Sequence, residues 1–578
     1  MKPFYKSVKF YALIGCLCVY CSCNLTMTEQ QAVKHLLKYG ELREDKPDTD
    51  SIKYYTHIAF DEWGKCAWSK DYDKNVFNDY ILPYAIASEP VEYYWREHAL
   101  KSYRQYLAYD IDDVRKACRI VAEEIHFKED NSFWNKPLQS YSTSSLTQTG
   151  KCDDGCIYKA VVMRSLGIPV SMETIPYWGD HNNGHSFNTL IMPDGSSVGF
   201  NDAADLKNRL NLQRKIPKIY RHTFYIDTDS FLYRQRDKEW IPAELRDYSL
   251  YDVTDCYELP LCDFTVNIGN DVQSELAYLA VFSPMGWRPV TWTQIKDKKA
   301  TFTNIGTGFL YDSAPSNAGE DIGNGIVYLP VYYSEYGEQL TIDYPCIINP
   351  DNTVKSLKPD FTHKQTITIK RKFPRKSRTI EFAFDMVGGY FEASNDPDFS
   401  DSEILHYILD TPSSHLQKIK SASKMKYKFV RYKKTKGGIS VGDIKFTDEN
   451  QNKIDGKLIA DESIIANPTL KNAFDNNCLT YFDSRNIPGV WIGLEFRHPV
   501  CICNIEYCPR TDDNDICPGD EYELFYWDND WISLGRKVST GYQLDFSDVP
   551  GNALLWVRDI TKGQEERPFI FENKQIWF

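Results

Sequence analysis

Three residue types able to break an amide bond follow one another here in a workable order: a thiol at Cys152, an imidazole at His185 and a carboxylate at Asp202. Residues 150–169 read as a loop that delivers Cys152 to the start of a helix, with Ile157, Ala160 and Val161 spaced for one buried face and Gly167 and Pro169 as its stop. A thiol at that position meets unpaired backbone N–H groups and the positive end of the helix dipole, both of which favour the thiolate. Asp153 and Asp154 pull the other way. Because a free thiol is mostly protonated near neutrality, His185 would take its proton and return one to the leaving group. Asp202 would orient the imidazole, and the Cys152 N–H would contribute to an oxyanion hole.

The elements around these residues read as a hairpin. Val170–Ile175 is a plausible strand, residues 176–184 form a loop containing Tyr177, Trp178 and His181, and His185–Ile191 alternates like a second strand. A turn at 193–195 leads into Ser197–Phe200, which runs on into Asn201 and Asp202. Upstream, Thr28 and Gln31 suggest a capping box for a helix that Gly40 stops. Asp112 reads as the N-cap of a helix carrying Val114, Cys118, Val121 and Ile125. Residues 140–149 read as a Ser/Thr-rich loop.

With these residues in place, the region resembles the transglutaminase-like (papain-like) cysteine hydrolase superfamily. The matching features are Gly150-x-Cys152, Arg164-x-x-Gly167-Ile-Pro169, Gly184-His185-Ser-Phe-Asn188 in place of a His-Ala-Trp-Asn pattern, and Asp202 after the next strand. The resemblance implies a Cys152–His185–Asp202 triad working through a thioester, with no cofactor for catalysis. Its spacing to Arg164 selects Cys152 over Cys156, which falls where the family keeps a small core residue. Gln148 and Trp134 are candidates for a second oxyanion donor, against loop or packing roles. Tyr177 and Trp178 are candidates for stacking on a sugar or aromatic group, against an equal reading as surface packing, and His181, an alternative base, reads as a substrate-contacting or solvent-exposed residue.

A chain of 578 residues exceeds one core. Residues 24–250 are expected to form the helical shoulder and catalytic α+β domain. From about Tyr251 the chain changes to short alternating runs punctuated by Asn, Gly, Asp and Pro, which reads as all-β. The expected units are a β-sandwich at 251–358, ending in a linker at 351–359, and a second β-rich domain at 359–455 with a strand at Thr379–Phe384. The segment 456–578 resembles a discoidin-like, galactose-binding-type jelly roll through Ala473–Phe482, Trp491–Phe496, Ile505–Tyr507, Tyr522–Tyr526 and Trp531–Leu534. That resemblance implies a candidate structural calcium at Asp475, Asn477 and Thr480, with Asn476 replacing a family glycine. It also implies a candidate glycan ligand near Tyr481, Asp512, Asp513 and Trp531, although a purely structural jelly roll fits equally.

The net charge of −14, without a long Lys/Arg block, argues against a nucleic-acid partner. Residues 1–23 combine a basic start with a short apolar run and end Tyr-Cys-Ser-Cys. This resembles a Bacteroidetes-type lipoprotein signal, with Cys23 as the lipidated residue and Cys21 as second choice. The expected location is the cell envelope, with the membrane reached through the lipid anchor only. Of 16 cysteines, those beyond the signal are too sparse for a disulfide framework, although Cys256 and Cys262 are close enough in sequence to pair. Together these readings describe an exported hydrolase of peptides or glycopeptides. The rival is a non-catalytic surface glycan-binding or scaffold protein that retains the fold.

Overall fold

A computed structural model describes residues 27–43, 48–312, 321–421, 423–563 and 565–578, so Cys21, Cys23 and the signal segment lie outside the described residues. The chain is a multidomain protein with an α+β N-terminal part and β-rich modules after it. Among the described residues no helix is long and apolar enough to cross a membrane.

The N-terminal part layers helices α1 (Glu29–Leu42), α2 (Thr49–Lys65), α3 (Lys74–Tyr80), α4 (Trp95–Tyr103), α5 (Val114–Glu124) and α6 (Tyr141–Thr147) around a central helix, α7 (Cys152–Ser165). The Thr28–Gln31 capping box forms, but α1 runs past Gly40 to Leu42. Asp113, rather than Asp112, caps α5 by accepting from the N–H groups of Arg115 and Lys116. The expected loop at 140–149 is mostly α6, because the Ser140 hydroxyl caps it and outweighs the weak propensity of its Ser/Thr run. Helix α7 is buried nearly all round, between the other helices and an antiparallel sheet. That sheet has the order β3-β2-β1-β4-β5, where β1 is Val170–Ile175, β2 His185–Ile191, β3 Ser197–Phe200, β4 Tyr220–His222 and β5 Leu250–Asp252. Gly167 turns the chain from α7 into β1 at φ 71°, and a side chain there would collide with the Cys66 sulfur. The Arg164 guanidinium ties the same turn down by donating to Val170 O at 2.7 Å.

Residues 261–356 form an eight-stranded sheet. Its central strand, Leu276–Val281, is buried on both faces. Leu276, Tyr278 and Ala280 enter one core while Ala277, Leu279 and Val281 enter another, which explains its continuous apolar run. The first of these cores is shared with Trp527, Trp556 and Phe578 of the C-terminal module, so the two modules are joined by hydrophobic burial. The expected linker at 351–359 instead contains a strand, Val354–Ser356, paired to Cys346–Ile348.

The last two units are nested, which corrects the expected division at 455/456. Strands between Gly389 and Cys508 make a five-stranded and a three-stranded sheet around one core running from Met386 to Tyr507. The strand Asp360–Ile369 pairs with Leu544–Gly551, and its Ile367 and Ile369 share a core with Tyr522, Leu524, Phe569 and Trp577. The segments that suggested a single jelly roll are therefore split between these two cores. Thr379–Phe384 lies in a helix, Ser377–Phe384, because its buried residues Thr379, Phe382 and Ala383 recur at helical rather than alternating spacing. Entry to and exit from the inner module are tied together by Arg371, whose buried guanidinium meets Asp515 at 2.6 Å and Asp512 at 2.8 Å.

Candidate functional site

Cys152 occupies the first position of α7, where the helix leaves its leading N–H groups without intrahelical partners. The loop before it is anchored by Asp154, which accepts from the backbone N–H of Gln139 at 2.8 Å and of Lys151 at 3.0 Å. Cys152 is only 8% exposed. Burial, with the Asp153 carboxylate 4.0 Å away, pushes its thiol up to about 12, while the Ser186 N–H directed at the sulfur works against that shift. Cys156, one turn on, is buried in the core and its thiol is raised by burial, in keeping with a packing role.

Strand alternation then sorts the residues of β2. Ser186 donates to Asp153 at 2.5 Å and Asn188 donates to Cys156 O at 2.9 Å, so the even positions face α7. His185 and Phe187 lie on the other face, their rings stacked at 6.5 Å between centroids. Trp178 covers His185 from the far side at 5.9 Å and 19°. Cys152 and His185 thus meet the same end of β2 with the 185–186 peptide between them.

The residue that meets the His185 ring is Asn201, not the expected Asp202. His185 Nε2 and Asn201 Oδ1 are 2.9 Å apart, which suits a protonated Nε2 donating to the amide oxygen. The Asp202 carboxylate instead accepts from the N–H groups of Ala204 and Asp205, capping the short helix Ala203–Lys207. Register supplies the reason. Asn188 pairs with Phe200, so the continued hairpin sets Asn201 on the face of Phe187 and His185, and Asp202 on the opposite face. If Cys152 and His185 form a hydrolytic pair, replacing Asn201 with alanine is expected to lower turnover by about 10²-fold. Asp202→Asn should leave turnover intact; steady-state kinetics on both variants checks this.

A second polar chain runs from the α7 face. Thr174 Oγ1 lies 2.9 Å from Ser186 Oγ and 2.9 Å from His222 Nε2, linking Asp153 to a histidine on β4. On the other face of the sheet, Glu173 pairs with Arg221 at 2.6 Å and accepts from the Tyr257 hydroxyl. These buried groups hold β1 and β4 in register.

The loop before His185 is enclosed rather than open. A side chain on Gly184 would strike the carbonyls of Ile175 and Pro176, so glycine is required where the loop closes onto β1. Trp178 is 6% exposed. Tyr177 packs against the core of the eight-stranded sheet, under the Arg288 guanidinium at 5.9 Å, so the expected substrate role of Tyr177 gives way to an intermodule contact. Arg567 of the C-terminal module is 1% exposed and donates to Gly179 O, His181 O, Phe282 O and Phe578 O at 2.5, 3.2, 3.2 and 3.1 Å. Lys215, buried against Phe578, donates to Gly323 O and Gly325 O, and burial lowers it to about 7.

His181, expected to face substrate or solvent, is largely enclosed in this junction with Phe373 edge-on at 5.9 Å. Burial, then Arg214 and Arg567, lower it to about 3. Its folded pKa lies below the unfolded one, so its contribution to stability is present above pH 6.5 and is lost as the pH falls towards 3. The loss between pH 7 and pH 5 is expected to be about 2 kcal/mol. The local stabilities of residues 177–184 in wild type and His181→Gln, read by hydrogen exchange across that window, should converge at the acid end by this amount.

Gln148 and Trp134 are not drawn into the site. Gln148 ends α6 in the left-handed region with its side chain exposed, and Trp134 is exposed on a short 3-10 turn. Gln139, which the sequence reading did not single out, lies against the Cys152 loop and donates to Thr149 O at 3.0 Å.

At the candidate calcium turn the oxygens satisfy one another. Asp475 accepts from Asn477 N at 3.0 Å and Thr480 Oγ1 at 2.8 Å, and Asn477 Oδ1 accepts from Leu479 N at 3.0 Å. These three residues account for part of the six to eight oxygens that calcium takes. Among the described residues no group of three or more His, Cys, Asp or Glu side chains is arranged to hold a metal. Of the candidate glycan contacts, Asp512 is consumed by Arg371 and Asp513 pairs with Lys562 at 3.3 Å. Trp531 packs parallel to Trp287 at 6.5 Å, and Tyr481 lies under the Arg510 guanidinium at 3.6 Å. No family model and no curated protein matches this chain.

Proposed function

We propose that the protein is a transglutaminase-like cysteine hydrolase that cleaves amide bonds of peptides or glycopeptides through a thioester, with Cys152 as nucleophile, His185 as base and Asn201 as orienting residue. The observation that carries the reading is the His185–Asn201 hydrogen bond at the strand end whose next N–H faces the Cys152 sulfur. In the reaction the thiol proton passes to the imidazole as sulfur attacks the carbonyl. The Cys152 N–H takes up the developing oxyanion, and the imidazolium then protonates the departing amine. Water hydrolyses the thioester in the second half.

On this reading the protein is exported and lipid-anchored at Cys23, and the β-rich modules hold the substrate or a glycan partner close to the site. A second reading, a non-catalytic surface protein that retains the fold, is favoured by the raised Cys152 thiol and by Asp153 beside it. A thiol-directed acylating probe distinguishes the two. Wild type and Cys156→Ala should be labelled on Cys152, and Cys152→Ala should not. Absence of labelling in wild type would favour the scaffold, and labelling of Cys156 would overturn the nucleophile assignment.

A further inference from the structure

Away from the candidate hydrolase site, two cysteines distant in sequence meet at the exit of the inner β-module. Cys508 ends the strand Asn504–Cys508, the last strand before the chain returns to the outer module. Cys478 belongs to the turn between the short helix Leu470–Phe474 and the strand Phe482–Asp483. Two backbone contacts hold these segments together. Asp443 is the cross-strand partner of Cys508, and its carboxylate accepts from the N–H of Asn476 at 3.0 Å, two residues before Cys478. Gly442 sits between the segments: its N–H donates to Cys508 O at 2.9 Å. A methyl group in place of its hydrogen would lie 3.1 Å from Cys478 O and 3.3 Å from Cys508 O, so the two cysteine backbones flank a single glycine.

The side chains differ in a useful way. Cys508 is buried and its sulfur also lies 3.6 Å from Ser414 O, whereas Cys478 is partly open to solvent. The two thiols perturb one another in opposite senses, Cys478 held below and Cys508 above the ordinary thiol value. Both are free thiols in this structure. An accessible thiol of lowered pKa beside a buried partner is the arrangement in which the first attacks an outside disulfide and the second resolves the adduct.

We propose that Cys478 and Cys508 form a disulfide that locks the exit of the inner module. The Cys478 thiolate attacks one sulfur of a low-molecular-weight disulfide, releasing one thiolate and leaving a mixed disulfide. Cys508, having lost its proton, then attacks the Cys478 sulfur and releases the second thiolate. Two thiol protons leave the protein, two electrons pass to the outside disulfide, and one S–S bond replaces another. The link stands beside the Arg371–Asp512/Asp515 ion pairs that tie the same neck. Covalent and ionic ties together then hold the two crossing strands between modules.

The test uses the full chain equilibrated with oxidised glutathione or with dithiothreitol, alkylated under native and then denaturing conditions, and digested for mass spectrometry. The expected result is a Cys478–Cys508 linked peptide in the oxidised sample only, with a melting temperature raised by several degrees. Alkylation of both residues in the oxidised sample would overturn the proposal. So would a link joining Cys508 to Cys517, or Cys501 to Cys503, whose sulfurs lie 3.8 Å apart, without the Cys478–Cys508 peptide. Because the mapping is done on wild type, it does not depend on any variant folding. Cys478→Ser should abolish the linked peptide and the difference in melting temperature.

Discussion

Replacing Arg567 with alanine is expected to make the amides of residues 177–184 and of the C-terminal strand exchange about 10³-fold faster, equivalent to about 4 kcal/mol of local stability. The guanidinium is fully buried and donates to four carbonyls from three separate segments, at Gly179 and His181, at Phe282, and at Phe578. Alanine leaves all four acceptors without this donor. Burial already pulls Arg567 down to about 10, with only Asp180 opposing that shift, so the ion is held for its hydrogen-bonding geometry. Lysine keeps the charge but not the planar fork, and Arg567→Lys should recover less than half of the loss. Hydrogen exchange resolved by peptide is the appropriate measurement, since a chain of several modules has no single unfolding free energy. The consequence reaches the candidate site, because the released loop carries Trp178, which stacks on His185. If exchange in 177–184 stays unchanged in Arg567→Ala, the clamp does not hold the loop.

The second large effect concerns the Cys152 thiol. With the group pushed up to about 12, the thiolate fraction near pH 8 is about 10⁻⁴. Alkylation by neutral iodoacetamide should therefore be roughly 10³-fold slower than for an unperturbed cysteine and should climb about tenfold per pH unit up to about 12. The sign follows from the causes: burial and the Asp153 charge both disfavour the anion, so raising the pH is what supplies it. Asp153→Asn removes the second cause and should accelerate labelling several-fold at fixed pH. Its amide also keeps an acceptor for Ser186. Turnover behaves differently under the hydrolase reading, because His185 takes the proton as attack proceeds. A rate that is level across neutral pH, lost in His185→Ala, supports base assistance. A rate that follows the tenfold rise of simple alkylation supports the scaffold reading.

Much of the local structure was legible from residue types alone. Cys152 at a helix start, Gly167 at its stop and the strands 170–175, 185–191 and 197–200 follow from periodicity and punctuation, which are properties of neighbouring residues. The strand at Leu276–Val281 was expected among alternating runs, whereas its burial on both faces came only with the structure. Asn201 was within reach, since the register of the hairpin already assigns it and not Asp202 to the face of His185. The face of β2 that meets α7, and hence the separation of Ser186 from His185, depends on how a helix docks on the sheet. No alternation pattern encodes that when both faces of the strand are buried.

What the sequence by itself determined is therefore the inventory of elements and the thiol and imidazole placed at their ends. The tertiary structure decided which groups those residues face: Ser186 and not His185 towards α7, and Arg567 on the loop between Cys152 and His185. It also decided that residues 360–369 belong with 512–578 and enclose the module between them. The physical reason is range. Propensity, capping and turn chemistry act over a few residues, whereas the partner of a buried charge or strand edge is chosen by the packing of segments hundreds of residues apart, as in Arg567 with Gly179.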